Sequence, residues 1–235
     1  MSGALHLIPV FLGDSPATHW LPDEVRRTAA RLTCYIAENA KTARAFLKLI
    51  GTDHPLQSIQ IHTLSKKTSK EEMLEWLRPI QAGQEVGLVS EAGCPAVADP
   101  GALVVSLAHA QGLLVKPWVG PSSILLGLMA SGLDGQRFAF HGYAPVTPAE
   151  RAQQLKQWEQ ASAKLDQTQI LIETPYRNGA MFESLLASLK PGTRLCIARS
   201  LSSTAEWVRT LDIGTWRTQK KPDLDKHPTL FLFQA

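Results

Sequence analysis

Between positions 90 and 101 the chain reads SEAGCPAVADPG. Two carboxylates, Glu91 and Asp99, and one thiol, Cys94, stand there among small residues and prolines. Three chemistries suit such a set: metal ligation, nucleophilic attack, or a loop whose glycines let a ligand approach the main chain. A metal would need a further ligand such as histidine, and His109 falls well along the next helical stretch, so metal-ligand spacing is missing. A nucleophilic cysteine would need a general base and a means of lowering its pKa, and no local signature supplies either. Cys94 therefore reads as a small residue filling a turn. Asp99 before Pro100 has the pattern of an N-cap with proline at the first helical position, which stands beside a ligand contact as an equal alternative.

Position favours a binding loop. The run EVGLV before the segment reads as a buried strand, so the loop sits at a strand's carboxyl end and just before a helix. Open parallel sheets bind ligands at that edge, where helix amino termini offer free amides. Gly13 and Asp14 after the first strand, and VGPSS at 119–123, occupy the same kind of place. Neither the dinucleotide GxGxxG nor the P-loop GxxxxGK[ST] occurs, so the expected ligand is a small molecule held without a phosphate cradle.

The elements that must position these loops follow a βαβ rhythm. ALHLIPVF and CYIAE read as strands around a helix introduced by Pro22. In NAKTARAFLKLIG, Ala43, Phe46, Leu47 and Ile50 share one helical face, and Gly51 ends it. IQIHTL is a further strand, and Ser69 with Glu72 has the spacing of a capping box opening KEEMLEWL. Short apolar strands separated by helices predict a five-stranded, mainly parallel sheet covered on both faces. After GPSS the rhythm resumes through ILLGLMASG, FAFHGY, QTQILIET, RLCIARS, EWVRTL and TLFLF, whose short late connections predict a mixed sheet. The expectation is two α/β domains, 1–118 and 119–235.

Composition sets the outer bounds. The 235 residues are 44% hydrophobic and 19% charged with a formal net charge of +3, an ordinary globular balance that permits an anionic partner without identifying one. Three dispersed cysteines argue against a disulfide framework and suit a reducing cytoplasm. MSGALHLIPVFLGD lacks a basic leader region, and no apolar run approaches the ~20 residues of a membrane helix, so no membrane partner is expected.

Taken in order, SEAGCPAVADPG, VGPSSILLGLMASGLDGQRFAFHGYAP and LIETPYR resemble the motifs of the tetrapyrrole methylase family of S-adenosylmethionine methyltransferases. The resemblance runs from HLIPVFLGD to TLFLF, nearly the whole chain, and is strongest to the branch that methylates a cytidine ribose 2′-hydroxyl in small-subunit ribosomal RNA. It implies two α/β domains with S-adenosylmethionine in a cleft between them, usually in a homodimer, and ribosomal RNA or the small ribosomal subunit as partner. Carried over by position, the family's donor contacts fall on Pro9, Gly93, Cys94, Val97, Ser122 and Ser123. From the second domain they fall near His141 and on Glu173, Pro228 and Thr229. The chain departs from the RNA-methylating pattern at Glu38-Asn39-Ala40-Lys41, where relatives carry Glu-Asp-Thr-Arg. It departs again at Val10-Phe11, in place of Thr-Pro, and at Lys226-His227-Pro228, in place of Lys-Gly-Glu. These changes concern the acceptor more than the donor and mark a divergent branch.

Methyl transfer from a sulfonium depends chiefly on alignment, but a hydroxyl acceptor gains from a base. Glu38, after the second strand, is the residue placed to serve as one; its bland alternative is an exposed residue capping the next helix. Glu173 and Arg177 can pair across a turn, with Tyr176 structural between them. An RNA enzyme should show a continuous basic flank drawn from Lys41, Arg44, Arg151, Arg177 and their neighbours. A closed apolar pocket would favour a tetrapyrrole or other small metabolite. A non-catalytic module that binds the donor is the third reading.

Overall fold

The structure is a computed structural model, and it describes residues 3–235. The chain divides into two compact units, Met1–Ser122 and Ser123–Ala235. The first unit carries β1 (Ala4–Leu7), α1 (Asp23–Arg31), β2 (Cys34–Ala37), α2 (Ala40–Ile50), β3 (Gln60–Thr63), α3 (Lys70–Gln81), β4 (Val86–Val89), α4 (Gly101–Ala110) and β5 (Leu114–Pro117). Its sheet runs β3-β2-β4-β1-β5, every neighbouring pair parallel.

Strand alternation divides the first unit's core into two layers. Tyr35 and Ala37 of β2 face Val25 and Ala29 of α1 and Phe46 and Leu47 of α2, while Cys34 and Ile36 face Met73 and Leu77 of α3 and Val104 of α4. Two helices per face bury the sheet, which is why β2 and β4 are apolar throughout. At the centre, Tyr35 lies opposite Gly87, where a Cβ would stand 2.5 Å from the tyrosine ring. That strand position has room only for glycine. At the ends, the exposed edge strand β5 closes on Lys116 and Pro117.

Local signals in the sequence act as read. Ser69 accepts from Glu72 N while Glu72 accepts from Ser69 N, a complete capping box at the start of α3. Gly51, at φ +71°, ends α2.

The second unit carries α5 (Ser123–Ser131), β6 (Phe138–Tyr143), α6 (Pro148–Leu165), β7 (Thr168–Glu173), α7 (Asn178–Ser188), β8 (Arg194–Arg199), β9 (Trp207–Asp212), α8 (Ile213–Trp216) and β10 (Thr229–Gln234). Its sheet runs β6-β7-β10-β8-β9, with β6 parallel to β7 and the other pairs antiparallel. The mixed second sheet is thus present as expected. Phe231 and Phe233 of β10 point to the α6, α7 and α8 side, and Leu230 and Leu232 to α5. Gly127 lets α5 lie close on β10, since a Cβ there would meet Leu230 Cδ2 at 2.4 Å.

Candidate functional site

With the strand order known, the chemistry-bearing loops of the first unit come together. Parallel strands put all their carboxyl ends on one edge, and β2, β4, β1 and β5 are successive neighbours there. Val10 N donates to Gly93 O at 2.9 Å, an isolated bridge that joins the loop after β1 to the loop after β4. Cys94 Sγ donates to Pro121 O at 3.3 Å, joining the loop after β5. Gly120 abuts Pro9, because a Cβ on Gly120 would lie 2.3 Å from Pro9 Cβ. Pro9, Gly93 and Cys94 are therefore brought together, and Ser122 follows directly on Pro121. Val97 lies farther along the same loop and is 48% exposed.

The loop's conformation is unusual. Gly93, Ala96 and Ala98 all take left-handed φ, at +72°, +65° and +62°, and an alanine there costs about 1 kcal/mol or more. Two anchors hold it. Ser90 Oγ donates to the carbonyls of Ala92 and Gly93, and the Asp99 carboxylate accepts from Ala96 N at 2.9 Å and Gly101 N at 2.6 Å. The N-cap reading of Asp99 shifts by one place: Pro100 occupies the cap position and α4 begins at Gly101, yet Asp99 still takes that helix's first amide. Burial raises the Asp99 pKa, and the two amides oppose the rise. Burial also raises the Cys94 thiol, away from the thiolate that a nucleophile needs.

Glu38 follows β2 directly. The capping alternative falls away, because Asn39 caps α2 by accepting from Lys41 N and Thr42 N. Asn39 Nδ2 also donates to Glu91 Oε1 at 3.1 Å, tying the β2 loop to the β4 loop. Glu38 itself is half-buried. Burial, then the charges of Asp99 and Glu91, push its pKa up to about 7.

A buried histidine lies beneath this edge. His6 is fully buried in β1, as its strand pattern suggests, and stacks on Trp118. Trp118 Nε1 donates to His6 Nδ1 at 2.9 Å. Indole can only donate, so Nδ1 is unprotonated and the ring is the Nε2–H tautomer. Nε2 lies 3.3 Å from Glu85 Oε1 without hydrogen-bond alignment, and burial lowers the His6 pKa.

In the second unit the predicted residues occupy three places. Ser123 opens α5. The His141 ring stacks on Trp158 with centroids 4.2 Å apart, and its Nε2 bonds Gln169 Oε1 at 2.7 Å. The side chain is thus occupied, and a register shift between Phe140 and Tyr143 leaves the backbone there irregular. Glu173 and Thr229 are direct partners across β7 and β10. Both Glu173 carboxylate oxygens are engaged, one by Thr174 N and one by Arg177 Nη2, the pairing read from the sequence. Pro228 is exposed, and its carbonyl accepts from Ser200 N.

Two expectations need correction. Arg151 is 7% exposed, donating to Ser184 Oγ and Val146 O, so it cannot join a basic flank. Its place between α6 and α7 is a long-range packing fact that no local pattern carries. Tyr176 is not structural filler, since it is 81% exposed. Among the described residues no cluster of three or more His, Cys, Asp and Glu could hold a metal ion, and no helix is long and apolar enough to cross a membrane.

No family model matches the chain. It is 29% identical over 221 residues to the "Ribosomal RNA small subunit methyltransferase I" of Xylella fastidiosa, covering 94% of this chain and 77% of that protein. Proteins of the same name from Neisseria meningitidis and Pseudomonas aeruginosa are 30% and 31% identical. Each match covers 80% of this chain, but only 61% and 64% of the relative's length. Among solved structures, the methyltransferase CobJ matches with a TM-score of 0.66 at 16% identity, over 100% of this chain and 95% of that one. A uroporphyrin-III C-methyltransferase from Thermus thermophilus, complexed with S-adenosylhomocysteine, matches with a TM-score of 0.56 at 16% identity, over 99% and 98% of the two chains. At that identity the likeness is one of fold. Similarity in sequence to proteins named ribosomal RNA small subunit methyltransferase I runs over most of the chain, and the two-sheet fold is shared with CobJ and the uroporphyrin-III C-methyltransferase, in agreement with the resemblance to the tetrapyrrole methylase family.

Proposed function

We propose that the chain transfers the methyl group of S-adenosylmethionine to a ribose 2′-hydroxyl of ribosomal RNA. The acceptor class follows the names of the relatives. The donor's polar ends are held by main-chain groups of Pro9, Gly93, Cys94, Val97 and Ser122 at the sheet edge. Ser123, the backbone around His141, Glu173, Pro228 and Thr229 are the second unit's candidate donor contacts. Attack by the ribose oxygen on the methyl carbon breaks the methyl–sulfur bond, the bonding pair leaves on sulfur, and the hydroxyl proton passes to the Glu38 carboxylate.

The observation that carries this reading is the similarity to the named methyltransferases over most of the chain, and half-buried Glu38 directly after β2, its pKa pushed up to about 7, suits a base at neutral pH. The site fits the donor in one further respect: the left-handed turns at Gly93, Ala96 and Ala98 present main chain rather than bulky side chains to a ligand.

The test is incubation with methyl-labelled S-adenosylmethionine and small ribosomal subunits from a strain lacking this protein. Label is expected in RNA, in dinucleotides that resist alkaline cleavage because the 2′-oxygen is blocked. Label confined to a small-metabolite fraction would reassign the acceptor. Donor binding by calorimetry with no transfer to any cell fraction would make the chain a binding module.

A further inference from the structure

A pocket of about 280 Å³ opens in the second unit between the turn Pro175–Arg177 and the loop 221–225, lined by Tyr176, Gly179, Lys221, Asp223 and Asp225 among others. Both walls are held rigidly. On one, Pro175 starts the turn, Arg177 N donates to Thr174 O at 2.9 Å, and Arg177 is locked to the buried Glu173. Tyr176 is thereby presented outward. On the other, Asn178 Nδ2 donates to Leu224 O and His227 O, Arg199 Nη1 donates to Asp223 O, and the Leu224 side chain is 2% exposed.

A lone exposed aromatic needs no explanation. This one stands on a fixed turn beside a preformed pocket with charged side chains in its lining. Gly179 contributes no side chain to the lining. Lys221 pairs with Glu183 at 2.8 Å, but both side chains are at least half exposed, so the pair is weak and the ammonium can turn to a ligand. A stacking ring, two carboxylate acceptors and one donor are what a splayed-out base requires, because carboxylates accept from the exocyclic amine of cytosine.

We infer that this pocket receives a single unpaired nucleobase of the RNA substrate, stacked on Tyr176, with an exocyclic amine donating to Asp223 or Asp225. The inference rests on the RNA reading above and adds to it the place where a base is read. The pocket selects a base that donates where uracil accepts, so bases with an exocyclic amine are preferred over uracil.

The experiment measures binding of fluorescent single-stranded hexanucleotides of cytidine, of uridine and of an abasic ribose-phosphate backbone to the full chain. Wild type, Tyr176→Ala, Tyr176→Phe and Asp223→Asn/Asp225→Asn are compared, with S-adenosylmethionine affinity by calorimetry as a check on folding. Tyr176→Ala is expected to weaken the cytidine strand roughly tenfold to a hundredfold while Tyr176→Phe holds it, the range typical of base–aromatic stacking. The double Asp→Asn variant is expected to lose the preference for cytidine. Unchanged affinity in Tyr176→Ala, or an equal loss on the abasic strand, overturns the inference while label in RNA still sustains the methyltransferase reading. If the wild-type chain binds no RNA and labels none, both fall together.

Discussion

Glu38 is one carboxylate whose neighbours set two measurable pH dependences. Its pKa is raised to about 7 by burial and by the Asp99 and Glu91 charges, so in the proposed role of base it would act only when deprotonated. Activity on RNA should rise with pH through about 7 and level off above it, and Glu38→Gln should flatten that rise and lower kcat by ~10²- to 10⁴-fold. Stability has the opposite sense. A folded-state pKa above the unfolded value of 4.5 means that folding is unpenalised below about 4.5 and loses stability as pH climbs to 7. Glu38→Gln should therefore unfold at a higher temperature than wild type at pH 8 and at nearly the same temperature at pH 4; a lower melting temperature at pH 8 would contradict the burial account. The sequence picked out Glu38 by its place after a strand. It did not disclose the carboxylate company, because Glu91 and Asp99 reach it only through the pairing of β2 with β4. Tyr176 reads as structural in the sequence for a related reason: its exposure is set by the Glu173–Arg177 pair and the distant loop 221–225, which no periodicity encodes.

At the scale of elements, local chemistry and close packing can be probed separately. Ser69→Ala removes half of the capping box on α3 and should cost about 1 kcal/mol in urea unfolding, with Ser69→Asp nearly neutral. Gly87→Ala sets a methyl 2.5 Å from the Tyr35 ring and should cost about 1–3 kcal/mol, more than alanine's better strand propensity returns. The first outcome was legible, because Ser69, Glu72 and the apolar run after them sit within one short stretch. The second was not, because Gly87 and Tyr35 are 52 positions apart and meet only by register. Element types and their alternation could be read from apolar spacing, whereas the order β3-β2-β4-β1-β5 could not, since nothing in a strand's own residues says which neighbour it takes. The Val10–Gly93 bridge and the Trp118–His6 bond lie beyond the sequence for the same reason.

For the molecule as a whole, a net charge of +3 bears on how the proposed RNA substrate would be held. Arg151 is buried and Arg177 is neutralised by Glu173, which removes two of the four cations named for a basic flank. With Lys41 and Arg44 left of those named, affinity for a single-stranded RNA should fall with salt at a log–log slope of about −1.4, corresponding to two phosphates at ~0.7 each. A slope near −7 would reveal an extended cationic surface that these positions do not supply. The way the first sheet stops at β5 bears on another collective property. Pro117 offers no amide hydrogen to an incoming strand, and Lys116 sets a charge beside it. A stranger's extended segment would find a poor template on that margin, so the crowded, partly folded chains of a high-yield expression should resist growing into fibrils from that side.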